Sequence, residues 1–202
     1  MSRGGLMPDL TVSEFSYIAV SELKLKKRRE AKVKNKGEYA HFRDYYLSLR
    51  NAIKSLFKKK QNFNSLREVV RKAHESKREN YHVVAENFIS WATGKDIHHY
   101  DPPKAAYQFS KTTVTCNPEL YYRINGQDCM LKLHFSGAEK MTQKRANIIC
   151  LLMSESCEVA VELCRVLDLK LKKEYRFKGD ENSQMNYVQQ EIVRIEKEWD
   201  EL

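Results

Sequence analysis

Leu120-Tyr121-Tyr122-Arg123-Ile124-Asn125-Gly126-Gln127-Asp128-Cys129-Met130-Leu131-Lys132-Leu133-His134-Phe135 is the stretch that decides the fold class. Asn125-Gly126 supplies the two residues that tolerate positive φ at the centre of a type I′ turn, whose twist matches that of its flanking strands. Tyr122 and Ile124 alternate with polar neighbours before the turn, and Leu131, Leu133 and Phe135 do so after it. A period of two is the signal of a half-buried strand. The stretch predicts a hairpin, and therefore a sheet, in the second half of the chain.

Upstream of the hairpin the period is helical. Asp101-Pro102-Pro103 marks the change, because two prolines block a helix and bias the chain to extended geometry. Before the prolines, Thr11-Val12-Ser13-Glu14 is a capping box opening a helix expected to run to about Lys34 and to end at Gly37. A second helix is expected over 38–60, with Phe42, Tyr46, Leu49, Ile53 and Leu56 in one stripe. Ser65-Leu66-Arg67-Glu68 and Ser76-Lys77-Arg78-Glu79 read as two more capping boxes, each opening a helix, with Gly94 as the stop of the last. After the prolines, Tyr107–Phe109 and Thr112–Thr115 favour strand.

Beyond the hairpin, helix is expected from about Thr142, strand after Val166 through the alternation Leu167, Leu169, Leu171, and a final helix over 183–202. That helix carries Met185, Val188, Ile192, Ile195 and Trp199 in a narrow seam suited to packing on its own core. The expected fold is α+β. A basic helical region (1–100) and a small α+β region (101–202) form one compact unit, with a hairpin-containing antiparallel or mixed sheet and C-terminal helices packed on it.

Composition sets the limits. The chain has 202 residues, 42% hydrophobic and 31% charged, with only 7 glycines and 4 prolines, which favours long helices over an all-strand fold. It contains no apolar run of about 18 residues, so no membrane span is expected. Met1–Asp9 lacks the order of a signal peptide. Cys116, Cys129, Cys150, Cys157 and Cys164 form no CxxC pair, so reduced thiols in the cytoplasm are expected, or in the nucleus of a eukaryote. The seven-residue recurrence of Cys150, Cys157 and Cys164 reads as small buried apolar groups.

Charge is the main functional signal. From Glu22 to Arg78 the chain holds 19 Lys/Arg against 6 Asp/Glu, a net of +13, while the whole chain is only +9. Such asymmetry aims a positive face at a polyanion. The densest run is Lys24, Lys26, Lys27, Arg28, Arg29, Lys32, Lys34 and Lys36, with a second cluster at Lys58, Lys59 and Lys60. Several cations on one exposed helix suit phosphate spacing. The same run also fits a solvated surface or, through Lys-Lys-Arg-Arg, a nuclear-localisation signal. Among the interleaved aromatics Tyr39, His41, Phe42, Tyr45 and Tyr46, Tyr45 lies off the apolar stripe and is the candidate for stacking on a base. The expectation is a non-catalytic protein that binds DNA or RNA through its basic half. The alternative is an interaction module meeting an acidic protein partner.

A metal-dependent nuclease is the third reading. Such enzymes place an acid on one strand and an acid-x-Lys pair on a neighbour, with the carboxylates holding the metal and the lysine orienting water. Asp128 with Asp168-Leu169-Lys170 is the weak match, and Glu119 a further carboxylate. His98-His99 beside Asp96 and Asp101 has ligating side chains, and His134 has no partner at ligand spacing. No metal or other cofactor is expected, and no P-loop, GxGxxG or GxSxG occurs.

Overall fold

Thr11 caps the first helix as its sequence predicts. Its hydroxyl accepts from Glu14 N at 3.2 Å, and the Glu14 carboxylate accepts from Thr11 N at 2.8 Å. The computed structural model describes residues 7–36, 44–199 and 201–202. In chain order it contains β1 (Asp9–Thr11), α1 (Val12–Ala19), α2 (Leu23–Lys34), α3 (Leu47–Lys58), α4 (Asn64–Lys72) and α5 (Glu75–Ala92). There follow β2 (Ile97–Tyr100), β3 (Ala106–Phe109), β4 (Thr112–Thr115), β5 (Leu120–Ile124), β6 (Gln127–His134) and α6 (Gln143–Cys157). A 3-10 turn (Val161–Leu163) leads into β7 (Cys164–Asp168), then β8 (Lys173–Arg176) and α7 (Glu181–Trp199).

The hairpin forms as read. Asn125 and Gly126 take φ of 49° and 81°, and Leu120 pairs with Leu131 across β5 and β6. It is the centre of a five-stranded sheet in the order β2-β5-β6-β7-β8. All its pairings are antiparallel except β6 with β7, which α6 links as a crossover. A second sheet, β1-β4-β3, joins the N-terminus to the residues after the prolines through the parallel pair β1 and β4. The fold is α+β with mixed sheets.

Alternation along β6 divides the core in two. Cys129, Leu131 and Leu133 face a cluster built by Leu49, Ile53 and Leu56 of α3, Leu66 of α4, and Tyr81, Val84 and Phe88 of α5. Met130, with Val166 of β7, faces Phe15 and Ile18 of α1, Ile149 and Leu152 of α6, and Val188, Ile192 and Ile195 of α7. The five-stranded sheet is thus sandwiched between α3–α5 on one face and α1, α6 and α7 with the small sheet on the other. The seam of α7 is spent on this core, as its spacing predicts.

Several local expectations are corrected. The first helix is broken at Val20–Glu22, where the Ser21 hydroxyl bonds back to the Tyr17 carbonyl, so α1 and α2 point separately. The helix expected over 38–60 runs from Leu47 to Lys58, with residues 45–46 in a turn before it. Gly37, Glu38, Tyr39, His41 and Phe42 lie outside the described residues. Neither Ser65 nor Ser76 caps a helix. α4 starts at Asn64, two residues before the start a Ser65 cap implies, where Asn62 Oδ1 accepts from Asn64 N, and α5 starts at Glu75 with the His74 ring accepting from Ser76 N. His98-His99 lies in strand β2, which pairs with β5 across the prolines, so the two halves share one sheet. Leu169–Leu171 is not strand. The Asp168 carboxylate accepts from Lys170 N and Leu171 N, turning the chain and leaving Leu171 exposed.

Candidate functional site

The basic run folds into α2, which packs against α1 and α7, and its cations divide accordingly. Lys26 is 8% exposed, with Nζ 2.7 Å from both carboxylate oxygens of Glu191. Arg194 joins the same network, 2.6 Å from Glu30 and 3.0 Å from Glu191. Glu30 is fully buried, and burial raises its carboxyl pKa against the lowering effect of Arg194. Arg29 lies 3.6 Å over the Tyr17 ring and donates to its hydroxyl. Lys34 donates to the Trp199 carbonyl, Lys36 pairs with Glu14 at 2.9 Å, and Lys27 with Glu201 at 3.7 Å. Lys24, Arg28 and Lys32 remain exposed, with no ion pair among the described residues. Their four-residue spacing makes one stripe with steps of about 6 Å along the helix. Lys26 is therefore corrected from surface contact to structural ion pair.

An open groove of about 830 Å³ lies between α1, α2 and the Ala138-Glu139 loop. Ile18, Leu25, Ala31, Val33 and Ala138 give it an apolar lining, and Arg28, Arg29, Lys32 and Lys36 surround it. Among the described residues its carboxylates, Glu14 and Glu139, are already engaged by Lys36 and Arg145. Arg145 is 1% exposed and ties α6 to α1 by donating to Ser16 Oγ and the Ser13 carbonyl.

The second basic cluster lies across the sheet, in the α3 layer. Lys54 and Lys58 of α3, and Lys59 at its C-cap, line a groove of about 700 Å³ with His99, Asp101, Lys104 and Glu119. Lys60 follows at a positive φ of 50°, exposed beside it. Lys58 pairs with Asp101, while Lys54, Lys59, Lys60 and Lys104 have no ion pair among the described residues. Lys54 and Lys104 escaped the sequence reading. Lys54 carried a usable signal, since it stands one helical turn before Lys58.

Tyr45 is not an exposed platform. Its ring meets Tyr46 and Tyr81 edge-on at 4.7 and 6.0 Å, Lys77 covers it at 5.0 Å, and Asn80 donates to its hydroxyl. The ring wedges α3 against α5, so its stacking role is corrected.

The acids of the nuclease reading do not converge. Asp128, at the start of β6, accepts from Nε and Nη2 of Arg123 at 2.8 and 3.4 Å. Asp168 ends β7 beside His134, six residues along β6 from Asp128, or about 20 Å. Lys170 bonds to Asn80 instead of facing either acid. An acid and a lysine do meet beside the sheet, as Glu119, just before β5, and Lys132 of β6 at 2.8 Å. The residue two before Lys132 is Met130, buried in the core, so a single carboxylate stands where such chemistry needs at least two. His99 points to Asp101 and His98 to Asp96. Among the described residues, no group of three or more His, Cys, Asp and Glu is placed to hold a metal ion. Burial pushes the Cys129 and Cys150 thiols up to about 12, so these are unreactive packing groups.

No family model, curated protein or solved structure matches the chain. Among the described residues, no helix is long and apolar enough to cross a membrane.

Proposed function

We propose that the protein binds nucleic acid without chemistry, through its basic N-terminal half, with the lysines of α3 as the principal phosphate contacts. The observation that carries this reading is the α3 groove. Lys54, Lys58, Lys59 and Lys104 line one open cleft, and among the described residues only Lys58 of these carries an ion pair. The carboxylates there are already engaged: Asp101 by Lys58, and Glu119 by Lys132 and by Leu133 N at 2.9 Å. What faces solvent is net positive. Neutralising three or four phosphates gives a log–log salt slope of about −3. The five unpaired thiols fit a reducing compartment, cytoplasmic or nuclear.

Fluorescence polarisation with short duplex and single-stranded DNA and RNA, across about 50 to 200 mM salt, tests the reading. Binding that weakens with the slope above supports it. Absence of binding to every oligonucleotide at the lowest salt contradicts it.

A further inference from the structure

We propose that the groove between α1 and α2 docks an acidic amphipathic helical segment of a partner protein, a surface separate from the α3 lysines. Two features meet there. The lining of Leu25, Ala31, Val33 and Ala138 is apolar, and Leu25 is 38% exposed. Arg28 and Lys32 stand at i and i+4 on α2, exposed and without an ion pair among the described residues.

An apolar channel bordered by cations complements a helix with Leu-type anchors on one side and Asp or Glu beside them. The anchors bury apolar area, and the carboxylates meet Arg28 and Lys32, which fixes orientation and excludes basic segments. Among the described residues, the groove's carboxylates Glu14 and Glu139 do not compete, because each is held by a cation of the fold.

Nucleic acid fits this groove less well. A duplex presents phosphates and gains nothing from an apolar lining. Unpaired bases want flat aromatic faces, yet among the described residues the one ring lining the groove, Tyr17, is already covered by Arg29 at 3.6 Å and Arg145 at 4.8 Å.

The test uses the full chain and two synthetic peptides of equal length and net negative charge. One has Leu at helical i, i+4, i+7 spacing with Glu beside it, and the other has the same residues scrambled. The amphipathic peptide is expected to bind at least tenfold more tightly than the scrambled one. Arg28→Glu with Lys32→Glu, and separately Leu25→Glu, each weaken it at least tenfold. Arg28→Lys with Lys32→Arg retains binding, and neutralising the α3 lysines leaves it unchanged. Circular dichroism confirms that the exposed substitutions leave the fold intact. Equal binding of the two peptides, or wild-type affinity in the Arg28→Glu, Lys32→Glu protein, overturns the proposal. So does loss of oligonucleotide binding in that protein with peptide binding unaffected, which assigns the groove to nucleic acid. Because the α3 variant is read in the same assay, failure here leaves the nucleic-acid reading standing or falling on its own result.

Discussion

Lys26 and Glu191 form an ion pair in which Nζ lies 2.7 Å from both carboxylate oxygens, with each side chain about one-tenth exposed. It fixes the basic helix to the C-terminal one, so the two residues act in folding and not in recognition. Lys26→Ala leaves Glu191 buried with Arg194 alone, and removing one partner of a buried pair costs about 3 kcal/mol. Lys27→Ala, on the exposed side, changes stability by only about 0.5 kcal/mol. Urea unfolding of the two variants checks the contrast, and equal effects contradict the placement of α2.

Glu196 of α7 holds the turn between β3 and β4, accepting from Ser110 Oγ, Lys111 N and Thr112 Oγ1, each at 2.8 Å. Partial burial alone raises its pKa, but these donors outweigh burial and leave the carboxyl below its ordinary value of 4.5. A depressed carboxyl contributes stability that is present above the unfolded pKa and lost as pH falls through the folded one. Glu196→Ala is expected to cost about 1 to 2 kcal/mol at neutral pH. The difference from wild type shrinks as the pH approaches 3 or so. Denaturation curves at both pH values decide it, and a pH-independent difference contradicts the assignment.

His134 has a different pH signature. Burial first, then the Arg145 charge, pull its pKa below 6.5, while Asp168 acts the other way. Between the folded value and 6.5 the unfolded chain binds the proton that the folded chain refuses, and stability rises with pH wherever that holds. Wild type should therefore lose more stability than His134→Gln on going from about pH 7.5 to about pH 5.5. Equal losses contradict a neutral buried imidazole.

Gly126 sits at φ 81° with no heavy atom near the place a Cβ would take. Substitution there meets backbone strain and no clash. Gly126→Val is expected to cost at least about 1 kcal/mol, and Gly126→Asn clearly less, because Asn tolerates the left-handed region. Thermal melts compare them. Indifference to both contradicts the type I′ hairpin.

The hairpin was legible because Asn125-Gly126 has few uses other than a tight turn, and the α7 seam because burial on one side imposes period. β2 was not, since His98, His99 and Tyr100 belong to a half-exposed edge strand that carries little alternation. The break between α1 and α2 escaped because nothing in Val20-Ser21-Glu22 forbids helix. It is set by packing of α1 on α6 and of α2 on α7. The candidate site was legible as charge and not as geometry. Lys24, Arg28 and Lys32 are indistinguishable in sequence from Lys26, whose partner Glu191 lies 165 residues away. The α3 groove needs Lys104 and Asp101 brought in by the loop after β2, which no local pattern announces.

The most direct measurement is the salt dependence of oligonucleotide binding by the protein with Lys54, Lys58 and Lys59 all changed to Gln. The account predicts affinity at least tenfold weaker at about 50 mM salt, with the log–log slope flattened by about 2 to 3 units. The unfolding midpoint should be nearly unchanged, since all three side chains are exposed. A variant that binds with wild-type affinity and wild-type slope contradicts the account.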